Sequence, residues 1–328
     1  MREMRRWAIG AAMMVLLLAA LLGASSVLAA EGKIKIGITQ IVEHPALDAA
    51  RQGFIDELAE AGYDESRVVY DMQNAQGDFA TAQTIAEKFV SSSVDLILAI
   101  ATPTAQATAN VTQDIPILIT AVTDPVVAGL VESIDAPGTN VTGTSDLTPV
   151  AKQLELLRTI RPQAKRVGVM YNPGEANSLV QLDLAREAAA ELGLTLVEVP
   201  VDNSSSVYQA AQSAVGRVDA IYVPTDNTVV SALESVIIVA ENAKLPLVAG
   251  ETDSVRRGAM ATISIDYYGL GRQTGRMALE ILENNADPAS MPIEYLEDVA
   301  LVLNPGAAQR MGVELSADLL AEASEIVD

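Results

Sequence analysis

The residues able to do chemistry in this chain are hydroxyls, amides and carboxylates placed just after apolar runs. Thr39 and Gln40 end one run, Thr102 and Thr104 follow a second, and Thr123 follows a third. Later in the chain come Asn172, Glu175, Asn177, Ser178, Thr225, Asp226, Asn227 and Glu251 in the same kind of place. Such a set recognises rather than reacts. Carboxylates at Glu175, Asp226 or Glu251 suit an ammonium, and helices opening at Thr104 and Ser178 would aim free backbone N–H groups at a carboxylate. Bond-making machinery is missing: no nucleophile elbow, phosphate-binding glycine loop or zinc spacing occurs, and Gly174-Glu175 is not a phosphate loop. His44 is the single histidine and there is no cysteine, so a soft metal site has nothing to anchor it. With Pro45 marking a helix start behind it, His44 reads as a structural or rim residue. Thr, Asn and Asp also cap helices, which is the ordinary alternative role for these polar positions.

These residues are positioned by strand-like runs alternating with amphipathic stretches: Lys33 to Thr39 then Ala46 to Ala61, Val94 to Ala101 then Thr104 to Thr112, Arg166 to Tyr171 then Ser178 to Leu192. Alternation of this kind predicts an α/β fold with parallel sheets covered on both faces. The pattern also repeats. Lys35-Ile36-Gly37-Ile38 parallels Arg166-Val167-Gly168-Val169, Val94-Asp95-Leu96-Ile97 parallels Val218-Asp219-Ala220-Ile221, and Ile115-Pro116-Ile117-Leu118 parallels Leu245-Pro246-Leu247-Val248. Three matches in one order read as two copies of a βαβα design, hence two Rossmann-like lobes. Ligands of open α/β sheets sit outside the carboxyl ends of the strands, so two such lobes face each other across a cleft lined by the turns named above.

The first residues and the composition limit location and partners. Arg2, Arg5 and Arg6 precede an apolar stretch from Ala8 to Leu22 and a small-residue end at Ala29-Ala30, the pattern of a secretory signal cleaved near Ala29 or Ala30. The stretch is shorter than the roughly 20 residues of a spanning helix. Without cysteine there is neither a disulfide nor a lipid-modified thiol, so an exported form is expected to diffuse freely in a periplasm. The formal charge is -22, and loss of the leader makes it about -24, which repels nucleic acid and anionic lipid.

The stretch from Gly37 through Thr39-Gln40 to His44-Pro45-Ala46-Leu47-Asp48, with Gly53-Phe54 beyond it, resembles the opening of ABC-transporter substrate-binding proteins of the tryptophan- and tyrosine-binding kind. Thr123-Asp124-Pro125, Gly143-Thr144-Ser145-Asp146, Tyr171-Asn172-Pro173-Gly174-Glu175, Pro224-Thr225-Asp226-Asn227-Thr228 and Asp266-Tyr267-Tyr268 are similar to the same family, so the resemblance runs along nearly all of the mature chain. It implies a periplasmic-binding-protein type I fold with a hinge of three crossovers, near Thr144 to Leu147, Ser264 to Tyr267 and Tyr295 to Val299. Residues 1–30 would be the signal peptide. Residues 31–144 with 266–294 would form one lobe, and 145–265 with 295–328 the other. Asp146 and Asp266 then lie at crossovers, where a carboxylate either faces the ligand or fixes the hinge. The resemblance also implies a small solute, an amino acid and often an aromatic one, taken up by lobe closure without any cofactor. The partner would be an ABC permease in the inner membrane, and the protein is expected to be a monomer and not an enzyme. A ligand-sensing partner of a membrane receptor is the alternative. A transcription regulator on this fold would need a DNA-binding headpiece where this chain has its leader. The Asn-x-Ser/Thr triplets at Asn110, Asn140 and Asn203 would otherwise suggest a glycoprotein.

Overall fold

Apolar β-branched runs and the helices between them build two sheets, in a computed structural model that describes residues 32–296 and 298–327. The leader expectation concerns residues 1–30 and lies outside the described residues. The first sheet contains β1 (Ile34–Gln40), β2 (Val68–Asn74), β3 (Leu96–Ile100), β4 (Ile117–Val122), β5 (Val141–Ser145) and β11 (Glu294–Tyr295), in the order β11-β5-β4-β3-β1-β2. The second contains β6 (Arg166–Tyr171), β7 (Thr195–Pro200), β8 (Ala220–Val223), β9 (Leu247–Ala249), β10 (Ala261–Ser264), β12 (Ala300–Leu303) and β13 (Glu325–Ile326), in the order β13-β12-β10-β9-β8-β6-β7. The order β2-β1-β3-β4-β5 in one recurs as β7-β6-β8-β9-β10 in the other, and the three repeated segments occupy equivalent strands. This is the doubly wound α/β arrangement expected from the alternation, with β10 and β12 the antiparallel pair.

Burial explains the strand sequences. All five residues of β3, Leu-Ile-Leu-Ala-Ile, are buried, as a strand covered on both faces requires. At Gly37 a Cβ would lie 2.7 Å from the Phe89 ring, so glycine lets that ring sit directly on β1.

The helices that set the cleft are α1 (Pro45–Glu60), α2 (Phe79–Ser91), α3 (Thr102–Ala109), α4 (Val150–Ile160), α5 (Ala176–Leu192), α6 (Val207–Ala214), α7 (Asn227–Ser231), α8 (Leu233–Ala243), α9 (Thr252–Arg257) and α10 (Tyr267–Asn284). Two short helices, α11 (Pro305–Arg310) and α12 (Ala317–Glu322), follow. Among the described residues no helix is long and apolar enough to cross a membrane.

The chain passes between the two sheets three times: after β5, between β10 and α10, and between β11 and β12. Helix α10 packs on α1 of the first sheet at backbone distance, because a Cβ at Gly53 would meet the Tyr268 carbonyl at 2.1 Å and one at Gly271 the Ala50 carbonyl at 1.9 Å. Arg272 joins the pair through Glu57 and, at 2.6 Å, Glu60. The passages lie together. Tyr295 pairs with Ser145, and the Tyr267 hydroxyl donates to Asp146 at 2.7 Å.

Two alanines at the cleft-facing ends of β3 and β4 have positive φ. Ala101 has φ 78° and ψ 154°, and Ala121 has φ 55°. The first pair of angles belongs to a region that glycine occupies almost alone, at a cost of roughly 1–3 kcal/mol for other residues. Ala101→Gly is therefore expected to raise the unfolding midpoint by about 2–4 °C, a net gain of about 1 kcal/mol after the entropy of an unfolded glycine. Calorimetry checks this, and an unchanged or lower midpoint would mean that the surrounding turn carries no such strain.

Candidate functional site

The strand ends of both sheets converge on a small cavity of about 20 Å³. From the first lobe come His44 and Leu47, at the start of α1, and Ala121 and Thr123, after β4. The second supplies Asn177, Thr225, Asp226, Asn227, Val230 and Glu251, while Asp146 and Tyr267 enter from crossovers. No lysine or arginine lines it. A larger open groove of about 550 Å³ runs along the mouth of the cleft, between Ile41, Phe79 and Pro103 on one side and Asn172, Glu175 and Ser204 on the other.

Each carboxylate has a distinct local job. Asp226 caps α7 by accepting from Val229 N at 2.7 Å, and its other oxygen accepts from Asn172 N at 2.6 Å and Ser178 Oγ at 2.5 Å. Burial, reinforced by Glu175, pushes its pKa up to about 7. Glu175 accepts from Asn227 Nδ2 at 2.6 Å and from Thr228 Oγ1 at 2.7 Å. Glu251 precedes α9 and takes the Ser254 hydroxyl on one oxygen; burial raises it to about 7 as well. Asp146 is raised by burial, against hydrogen bonds from Tyr267 and from Thr123 Oγ1 at 3.1 Å. His44 faces the Asn227 side chain across the cleft, and burial, with Arg257 nearby, lowers its pKa to about 3. That guanidinium is already held by Glu234 at 2.8 Å. The space is thus ringed by acids without a free cation among the described residues.

The twelve residues singled out from the sequence divide by place. Thr123, Asp146, Asn177, Asp226, Asn227 and Glu251 line the cavity. Asn172 and Glu175 line the mouth groove, which Asn227 also reaches. Thr102 is buried at the start of α3 with its hydroxyl unpartnered. Thr104 turns its hydroxyl back to Ile100 O at 2.6 Å, at the end of β3. Gln40 is occupied by Arg51 at 2.7 Å and Asp48 at 2.9 Å. Asp266 is exposed, caps α10 through Tyr268 N and Gly269 N, and lines a groove behind the hinge. Sequence reasoning did not single out Leu47, Ala121 or Val230 for this wall, and gave His44 a structural or rim role. A signal for His44 was available: it precedes Pro45 at the start of a helix that has no side-chain cap, so the α1 N–H groups are left to the cleft. Helix α5 likewise begins without one. No cluster of three or more His, Cys, Asp or Glu able to hold a metal occurs among the described residues.

Residues 35–327 match the family model for ABC transporter substrate binding protein. The chain belongs to that family. It is 47% identical over 285 residues to the tyrosine-binding protein of Clostridioides difficile, covering 86% of this chain and 82% of that relative. A Streptococcus pneumonia ABC domain in complex with L-Trp superposes with a TM-score of 0.87 at 35% identity, covering 90% of this chain and all of that one. The ligand-free, open structure of a Clostridium difficile substrate binding protein with adhesive properties reaches 0.67 at 47% identity, over 90% of this chain and 99% of that one. This chain superposes better on the L-Trp complex than on the ligand-free, open structure, although its sequence is nearer to the latter. The fold is that of type I periplasmic binding proteins.

Proposed function

We propose that this protein captures an amino acid outside the cytoplasm, with tyrosine and tryptophan the first candidates, and presents it to an ABC permease. The lobes would be residues 31–144 with 266–294 and 145–265 with 295–328, hinged at the three passages, with the signal peptide removed near Ala29 or Ala30. The observation that carries the reading is the cavity at the strand ends, ringed by Asp146, Asp226 and Glu251 and lined by no cation. Buried carboxylates need a positive partner, and an amino acid's ammonium supplies one. Its carboxylate would meet the free N–H groups opening α1 and α5, and an aromatic side chain would lie against Leu47, Val230 and the Tyr267 ring, or extend toward Ile41 and Phe79. The names of the relatives, one binding tyrosine and one holding L-Trp, support the same class.

Solute enters between open lobes, and contacts from the second lobe to engage form only on closure. Ligand therefore shifts the population toward the closed state by its differential affinity. No covalent step is required, and the ATPase partner of the permease would supply energy.

The test is thermal unfolding of protein stripped of endogenous solute by unfolding and refolding, against an amino-acid and metabolite panel. At about 100 times its Kd a ligand of the folded state adds about 2.7 kcal/mol, so the midpoint should rise by roughly 5–10 °C with the correct amino acid. A rise with a sugar or polyol and none with any amino acid overturns the reading.

A further inference from the structure

Three side chains in the cavity wall are buried and carry a polar atom with no hydrogen-bond partner: His44 Nδ1, Asn177 Oδ1 and Glu251 Oε2. Their residues are 7%, 4% and 2% exposed. The proton placement on the first two follows from their neighbours. Asn227 Nδ2 donates to Glu175 Oε2 at 2.6 Å, which leaves the Asn227 oxygen as the acceptor on the His44 side. A neutral ring that carries its proton on Nε2 presents the bare Nδ1 as an acceptor. The Asn177 amide nitrogen donates to Thr225 O at 3.2 Å and Glu175 Oε2 at 3.3 Å, which turns its oxygen away from them. Buried acceptors left bare are costly, and here one from the first lobe and two from the second border the same space. Three acceptors around one space fit a group with three N–H donors and no acceptor, which is the description of a primary ammonium.

The other end of an amino acid has only the neutral N–H groups opening α1 and α5, since neither lysine nor arginine lines the cavity. We infer that His44 Nδ1, Asn177 Oδ1 and Glu251 Oε2 together read a primary ammonium from both lobes at once, and that primary amines lacking a carboxylate are ligands of this site as well. The inference rests on the amino-acid reading above and names which end of the molecule closes the lobes. His44 becomes the residue through which the first lobe senses the solute, and the Asn227 oxygen opposite it favours the required tautomer.

The experiment is calorimetric titration of the stripped protein with L-tyrosine, tyramine, N-methyl-L-tyrosine and 3-(4-hydroxyphenyl)propionate, and with the matching tryptophan series. Tyramine or tryptamine should bind within about a hundredfold of the parent amino acid, the N-methyl compound at least about tenfold more weakly than the parent, and the amine-free acid without heat. In His44→Ala the parent amino acid should weaken by about tenfold or more while the penalty for the N-methyl group shrinks below about threefold, a change of ratio that general loss of structure does not produce. The analogue series on the unaltered protein decides the matter even if that variant does not fold. Binding of the amine-free acid, or silence of the amines while the amino acids bind, overturns this inference and leaves the amino-acid reading standing. Silence of amino acids and amines alike overturns both, and binding of the amines alone supports this inference while removing the other.

Discussion

Replacing Glu251 with glutamine weakens amino-acid binding by about a hundredfold or more. Glu251 is 2% exposed, one oxygen is held by Ser254 and the other is free at the cavity, so the amide keeps the volume and removes the charge that meets the ammonium. Charge-assisted bonds of this kind contribute roughly 1.5–3 kcal/mol; a single full charge lost inside a dry site lies at the upper end. The sign for the empty protein is opposite. A carboxyl raised from its ordinary value near 4.5 to about 7 adds a stabilising contribution that is complete below the lower value and is lost as pH rises through about 7. Asp226, also raised to about 7, acts the same way. The empty protein therefore gives up part of its stability between about pH 4 and 7, and Glu251→Gln, with no proton to lose, should keep more of it. Ligand affinity runs the other way with pH. The ammonium requires the ionised carboxylates, so binding should be strongest above about pH 7 and fall by up to about tenfold per unit and per proton below it. Titration calorimetry at pH 6, 7 and 8 in buffers of different ionisation enthalpy reads both the affinity and the protons released. Affinity that is flat over this range, or a variant that binds as tightly as the parent, would remove Glu251 from the site.

The second large effect is on folding. Gly271→Ala should lower stability by about 3 kcal/mol or more, although alanine is the better helix former by about 1 kcal/mol. The new methyl would lie 1.9 Å from the Ala50 carbonyl oxygen, and a backbone atom cannot turn aside as a side chain can. Helices α1 and α10 would have to separate, breaking the Arg272 bridges to Glu57 and Glu60 and uncovering buried Phe54 and Leu270. The midpoint should fall by roughly 6–12 °C. A fall below about 2 °C would show that the two helices can part at little cost.

Much of this arrangement was legible in the chain. The run Leu96 to Ile100 could only be a strand covered on both sides, and the echo of Val94-Asp95-Leu96-Ile97 in Val218-Asp219-Ala220-Ile221 foretold that the second sheet would repeat the order of the first. Turn residues were identified as cleft residues because strand ends in such sheets must face it. Orientation within a turn was not legible. Thr104 sits in the first turn of α3, where a hydroxyl readily bonds the carbonyl four residues back, and it does so with Ile100. Gln40 is taken by Arg51, one helix away in sequence but adjacent in space. The meeting of His44 with Asn227 was unreadable for a related reason: Asn227 lies in the other repeat, and no spacing along one strand of text predicts which residues two lobes bring face to face.

The three passages between the lobes have a mechanical meaning. Ser145 is bound to Tyr295, and Asp146 to Tyr267, so the connections form a single band rather than three separate tethers. A band permits folding about its own line and resists both twisting and sliding. The opening proposed above is then expected to be close to a motion of one coordinate, and a single distance across the mouth, between labels at Gln76 and Asn203 on its opposite rims, should report the state of the whole molecule.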